Sequence, residues 1–299
     1  KMKPRIKVST YEMKKNIIYK HILPYFQNKA VNSITVQDIM AWQTTIMKKI
    51  DPKSDKGYTK SFLKTIHNQI NAIFNFACKY YNLETNPAHV VGNMGNDREI
   101  GMKFWTQEQY MKFRECMMEE PMFFYAFECL YWLGIREGEM LALQPTDFNF
   151  EKKTVSIDKT FYVLKGEHYI TTPKTHKSIR KITVPDFLCD ELKDYLNLMY
   201  EDYEGEGRMF PTEKSTLTRA FQRGTQKAGL PRIRIHDLRH SHVSLLIHLG
   251  YSAVSIAERL GHESIHVTYR YAHMFPTVQE DMANKLNAEM RKESKWVLR

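Results

Sequence analysis

From Tyr58 to Tyr81 the chain reads YTKSFLKTIHNQINAIFNFACKYY, and Phe62, Leu63, Ile66, Ile70, Ile73, Phe74 and Ala77 recur there at the spacing of one helical face. A stripe of that length admits only a long helix with one buried side. Ser9 to His21 and Thr35 to Lys49 repeat the period over shorter runs, the second opened by Thr35 as an N-cap and closed by the turn DPKSDKG. Helical periodicity is the only pattern in the first hundred residues, so a small helical bundle is expected there. Asn86-Pro87 stops the long helix, and VGNMGNDREIGMKF reads as a linker because its glycines and asparagines favour no regular element.

That linker, about residues 92–104, predicts a boundary near residue 98, with domains over 1–98 and 105–299; a chain of 299 residues is long enough for two cores. Apolar helical runs at 106–119 and 121–133 open the second domain. TVSID, HYITT and IRKITVP then bring β-branched residues and partial alternation, separated by the turns LKGE and PKTHKS, which predicts one small three-stranded antiparallel sheet. Everything after Pro185 returns to helix. The fold class is mainly α with a small antiparallel β-sheet in the second domain.

Lysine and arginine outnumber the acids by 44 to 34, and a net charge of +10 favours a polyanionic partner such as nucleic acid. Cys78, Cys116, Cys129 and Cys189 are scattered, which argues against a disulfide framework or a thiolate zinc site. The sequence offers no apolar stretch of signal-peptide type and no run of about 18 apolar residues to span a bilayer, so no membrane partner and a cytoplasmic location are expected.

Polar groups concentrate in three islands. In GIREGEM, Arg136 and Glu139 stand three apart and share a face if the segment is helical, which suits a structural ion pair as well as a functional one. In IHDLRHSH, His236, Arg239 and His240 fall on one helical face, and the apolar continuation VSLLIHLG draws that basic cluster inward, where it needs an anionic partner such as phosphate. The third island, LGHESIHVTYRYAH, contains a literal H-E-x-x-H, the pattern of zinc peptidases. Gly261 just before it and the β-branched residues within it disfavour the single helical turn that His262 and His266 would need to share a metal. Polar loop histidines are the alternative to zinc.

GIREGEMLAL, HDLRHSH and LGHESIHVTYRYAH, in this order and spacing, resemble the boxes of the tyrosine recombinase family, the phage and transposon integrases. The resemblance covers about residues 105–275 well and the preceding helical domain more loosely. It implies an N-terminal helical core-binding domain followed by a tyrosine-recombinase catalytic domain. Position by position, Arg136 matches the first family arginine, Glu139 the acid that supports it, and Lys174 in TTPKTHKSIR the lysine on a β-turn. His236 and Arg239 match the H-x-x-R pair, His262 the histidine after the L-G box, and Tyr271 the nucleophile, with Tyr269 as nearest rival. Leu133 stands where the family usually has threonine, a departure that leaves the charged groups untouched.

The resemblance implies a site-specific recombinase of a mobile element that cleaves and rejoins DNA through a 3′-phosphotyrosine, with no metal, nucleotide or other cofactor. Arg136 and Arg239 would bind the phosphate, His236 would assist deprotonation of Tyr271, Lys174 would protonate the leaving 5′-oxygen, and His262 would donate to the phosphate. Glu139 would hold an arginine, and His240 would be a structural neighbour. The expected partners are double-stranded DNA clamped by both domains, a homotetramer on DNA with the tail of about 276–299 on a neighbouring subunit, and an excisionase or DNA-bending protein. A type IB-like topoisomerase and a noncatalytic DNA-binding regulator are the alternatives.

Overall fold

The computed structural model describes residues 6–52, 54–95, 102–173, 175–199, 207–271 and a few positions between 283 and 290. Its contacts divide the chain into two units, Lys1–Gly101 and Met102–Arg299.

The first unit is helical. α1 (Val8–Ile17) widens into a π turn at Ile18–Ile22 before α2 (Leu23–Phe26). Pro24, near the start of α2, lacks an N–H and crowds the carbonyl four residues back, which is the physical reason for the local widening. α3 (Val36–Met47) begins in a reciprocal cap: Thr35 accepts from the Asp38 amide and Asp38 from the Thr35 amide. The DPKSDKG turn does more than reverse the chain, since it joins β1 (Ile50–Asp51) to β2 (Lys56–Gly57) in a short antiparallel ladder. α4 (Lys60–Tyr80) carries the long stripe, and Leu63, Ile66, Ile70 and Phe74 pack against Ile39, Trp42 and Ile46 of α3. α5 (Pro87–Val91) is capped by Asn86, whose side chain accepts from the amides of Ala88 and His89.

The second unit is built around α7 (Pro121–Leu133), which is apolar on nearly every side; Phe127, Leu130, Tyr131 and Leu133 are buried. It packs against α6 (Gln107–Met117), α8 (Glu137–Met140), α9 (Asp186–Met199) and α11 (Asp237–His248), and α10 (Lys214–Lys227) covers α6. Burying each such side chain contributes about 1.5–3 kcal/mol. Glu128 is fully buried in this core, where it accepts from the Tyr110 hydroxyl at 2.6 Å and the Trp132 indole at 3.1 Å and pairs with Arg114.

The β-region differs from the single sheet expected. β3 (Phe148–Asn149), β4 (Thr154–Ile157) and β7 (Arg180–Thr183) form a three-stranded antiparallel sheet, while β5 (Thr160–Leu164) and β6 (Glu167–Thr171) form a separate hairpin. HYITT therefore pairs with TFYVL, a strand that periodicity did not reveal. Lys165 and Gly166, both at positive φ, make the two-residue turn whose twist pins that register, Leu164 opposite Glu167. α12 (Ala253–Leu260) and the short α13 (His266–Tyr269) complete the described elements of this unit. The proposed tail, about 276–299, lies outside the described residues apart from the few named above. No helix of the described residues is long and apolar enough to cross a membrane.

Candidate active site

α7 ends where Gly134 adopts the left-handed conformation, and the chain reverses so that Arg136 becomes the N-cap of α8. Arg136 and Glu139 are thus bound by capping geometry rather than by a shared helical face. One Glu139 oxygen accepts from the Arg136 amide at 3.0 Å and the other from its guanidinium at 2.7 Å. A second guanidinium, that of Arg180 on β7, reaches the first oxygen at 3.0 Å. Burial alone would raise the Glu139 carboxyl, but Arg180 and then Arg136 outweigh it and hold the group below the usual range. Arg136 remains 39% exposed, so part of its donor set faces outward.

Arg239 is the buried counterpart, at 4% exposure. It donates to the carbonyl of Gly134 at 2.7 Å and of Leu260 at 2.8 Å, the C-terminal ends of α7 and α12. Terminal carbonyls carry the negative end of the helix dipole, and two of them converge here on one guanidinium. Arg136 makes the parallel contact to the Gly261 carbonyl at 3.4 Å. Burial first, and Arg136 beside it, push the Arg239 pKa down to about 9. The pocket therefore holds more positive charge than its own acids balance.

Gly261 ends α12, so the H-E-x-x-H pattern spans a loop: His262 follows the cap and His266 opens α13. The two rings have no common helix, and among the described residues no group of three or more His, Cys, Asp or Glu side chains is placed to hold a metal ion. His262 is buried, with Nδ1 2.8 Å from the Thr268 hydroxyl. Burial, Arg239 and Arg136 push its pKa down to about 3, so the ring is neutral.

Tyr271 is 3% exposed and packs with Val243, Ile247, Ile256 and Leu260. Burial pushes its hydroxyl up to about 12, against the pull of Arg239. The imidazole touching that hydroxyl is His240, through Nδ1. His236, expected to assist the tyrosine, packs edge-on against His240 with ring centroids 5.3 Å apart. Burial, His240 and Arg239 push its pKa down to about 4. Tyr269 is 51% exposed and neighbours His266. Lys174 lies outside the described residues.

Arg136, Glu139, Arg239, His236, His240, His262 and Tyr271 thus come from sequence-distant segments into one basic pocket. One participant and one contact are new relative to the sequence. Arg180 was inside the quoted TTPKTHKSIR but carried no spacing signal, and the contact of His240 with Tyr271 depends on how two segments pack.

Arg136 and Arg239 thus lie in the pocket that also holds the buried Tyr271, on a helical unit with a small sheet. Residues 105–277 match the phage integrase family and residues 1–47 the N-terminal SAM-like domain of phage integrases. The chain belongs to the phage integrase family. It is 32% identical to the ICEBs1 integrase of Bacillus subtilis, over 94% of this chain and 78% of that one. It is 26% identical to a XerC-like tyrosine recombinase of Caldanaerobacter subterraneus, over 89% and 75% of the two chains. Its fold is that of the Tn1549 transposon integrase, solved with transposon right-end DNA, at a TM-score of 0.76, 18% identity and coverage of 98% and 96%. The chain is a site-specific DNA strand transferase of a mobile element, and these relatives do not favour the topoisomerase or regulator alternatives.

Proposed function

We propose that this chain cleaves and rejoins double-stranded DNA at the ends of its element through Tyr271. The Tyr271 oxygen attacks a backbone phosphate, leaving a 3′-phosphotyrosine and a free 5′-hydroxyl; a 5′-hydroxyl from another strand reverses the step. The bond energy stays in the covalent link, so the reaction calls for no ATP or metal. The observation that carries this reading is that Tyr271 is buried on Leu260, the residue whose carbonyl holds Arg239, so that nucleophile and guanidinium share one pocket of one chain.

A phosphate is the partner that the pocket's uncompensated positive charge calls for. Arg136 and Arg239 match its oxygens with paired donors, and Glu139 with the helix-end carbonyls fixes their planes. In the tautomer assigned to neutral His262, Nδ1 accepts from the Thr268 hydroxyl and Nε2 carries the proton offered to the phosphate. Lys174 is assigned the proton for the leaving 5′-oxygen.

The partner is double-stranded DNA, which the dimer of lambda integrase on a core site and its tetramer on a Holliday junction support for a related fold. A homotetramer on two DNA sites, aided by an excisionase or DNA-bending protein in the bacterial cytoplasm, is the assembly proposed. The test uses nicked duplexes carrying the element's ends, incubated with the full chain in EDTA and run on a denaturing gel. A protein–DNA adduct that forms with the native chain and vanishes in Tyr271→Phe supports the reading. An adduct that persists in Tyr271→Phe moves the nucleophile to Tyr269.

A further inference from the structure

The imidazole that meets the nucleophile is not one that the family resemblance assigns to catalysis. Resting on the reading of Tyr271 as the attacking group, we propose that His240 is the base that takes its proton, with Asp237 supporting the charge that His240 acquires. Asp237 and His240 stand three apart on the first turn of α11 and share a face. The two nitrogens of the His240 ring consequently face different groups: Nδ1 contacts the Tyr271 hydroxyl, and Nε2 lies 3.7 Å from Asp237 Oδ1. Carboxylate, imidazole and hydroxyl in that order are how a histidine base is oriented when a side-chain hydroxyl attacks. At 3.7 Å the carboxylate acts through its charge rather than through a hydrogen bond.

Asp237 is fixed for this task. It is buried at 2% exposure, one oxygen accepts from the Arg234 amide at 2.8 Å, and the other accepts from the Arg234 guanidinium at 2.8 Å. The remaining groups facing His240 are His236 and Arg239 on α11 and its cap, His262 after α12, and Arg270 next to Tyr271. Burial is the main influence on His240 and holds its pKa below the ordinary histidine range; Asp237 opposes this, and Arg234, Arg239 and Arg270 add to it. The ring therefore stands neutral at neutral pH, with Nδ1 able to accept when Nε2 carries the hydrogen. A phosphate entering between Arg136 and Arg239 adds negative charge near the same ring and strengthens its hold on a proton as attack begins.

The step balances. The oxygen–hydrogen bond of Tyr271 breaks as its proton passes to His240 Nδ1, the tyrosine oxygen bonds to phosphorus, and the bond from phosphorus to the 5′-oxygen breaks. That 5′-oxygen receives a proton from Lys174. Rejoining runs the transfers backward, and His240 returns the proton to Tyr271.

The experiment measures single-turnover adduct formation by the full chain on two nicked duplexes bearing the element's ends. One has an ordinary scissile phosphate and the other a 5′-bridging sulfur, which leaves without needing a proton. His240→Gln and His240→Asn are each compared with Lys174→Ala, and thermal unfolding identifies which His240 variant is folded; asparagine keeps a polar atom near the Nδ1 position without a base. The expected result is a loss of about 100-fold or more in the His240 variants on both duplexes, with Lys174→Ala recovering on the sulfur duplex. Rates within about threefold of the native chain, or recovery of the His240 variants by sulfur, overturn the proposal. An adduct in Tyr271→Phe removes the underlying reading instead, and does so whatever His240 does.

Discussion

Arg239 donates a 2.7 Å hydrogen bond to the carbonyl of Gly134, a residue 105 positions earlier in the chain. That single contact links the end of α7 to the first turn of α11 at a turn whose backbone angle and close neighbours require glycine. Gly134 has φ +63°, and a Cβ there would lie 2.4 Å from the His242 ring and 2.8 Å from Leu260. Gly134→Ala is expected to destabilise the second unit by about 2 kcal/mol or more, roughly 4–8 °C in midpoint, and to slow cleavage by displacing Arg239. Thermal unfolding alongside adduct formation measures both.

Arg239→Lys keeps the charge and loses the geometry. An ammonium cannot reach both the Gly134 and Leu260 carbonyls and still present paired donors to a phosphate. Cleavage should fall about 100- to 1,000-fold while affinity for the same duplex changes little, because the lost contact matters most when charge builds on the phosphate. Equal losses in both would assign Arg239 to ground-state binding.

Arg180 acts through Glu139. Arg180→Ala leaves one oxygen of a buried carboxylate without its guanidinium, so Glu139 and the Arg136 plane it holds shift together. A displacement of about 1 Å at such a site costs on the order of 100-fold in rate. Arg180→Lys should restore part of the loss, since an ammonium can still pair with Glu139; no rescue would point to the carbonyl contacts of Arg180 with Arg259 and Ser178 instead.

Acid should weaken the second unit through its neutral histidines. His236 and His262 have folded pKa values of about 4 and about 3, below the ordinary 6.5, so the unfolded chain binds more protons between those limits. Their contribution to stability is complete above pH 6.5 and drains away as pH falls toward the folded values. Unfolding midpoints from pH 7.5 to 4.5 should drop less steeply in His262→Asn than in the native chain. Parallel curves would mean that His262 takes up its proton as readily in the folded protein as in the unfolded chain.

The long stripe of α4, the Thr35 cap and the ordered boxes around Arg136, His236 and Tyr271 were legible because each is a local pattern with a physical cause. The β5–β6 hairpin was half legible: HYITT alternated, but TFYVL is apolar on both faces and declares itself only through its partner. The role of Arg180 was not legible, and His240 was legible only as a neighbour of the site, not as the group that meets Tyr271. Arg180 gains its meaning from a carboxylate 41 positions away and His240 from a hydroxyl 31 positions away, separations that packing alone closes.

Tyr271 sits in a socket of Val243, Ile247, Ile256 and Leu260, four side chains with no chemistry of their own. Its ring is aimed as a core residue is aimed, by the shape of the hydrocarbon around it, and only its oxygen belongs to the polar pocket. With Tyr271 as the proposed nucleophile, the cutting of a strand depends on the fit of aliphatic groups buried behind its ring. Drift among isoleucine, leucine and valine in that socket becomes a means of adjusting how fast a genome is opened while every charged group of the pocket stays the same.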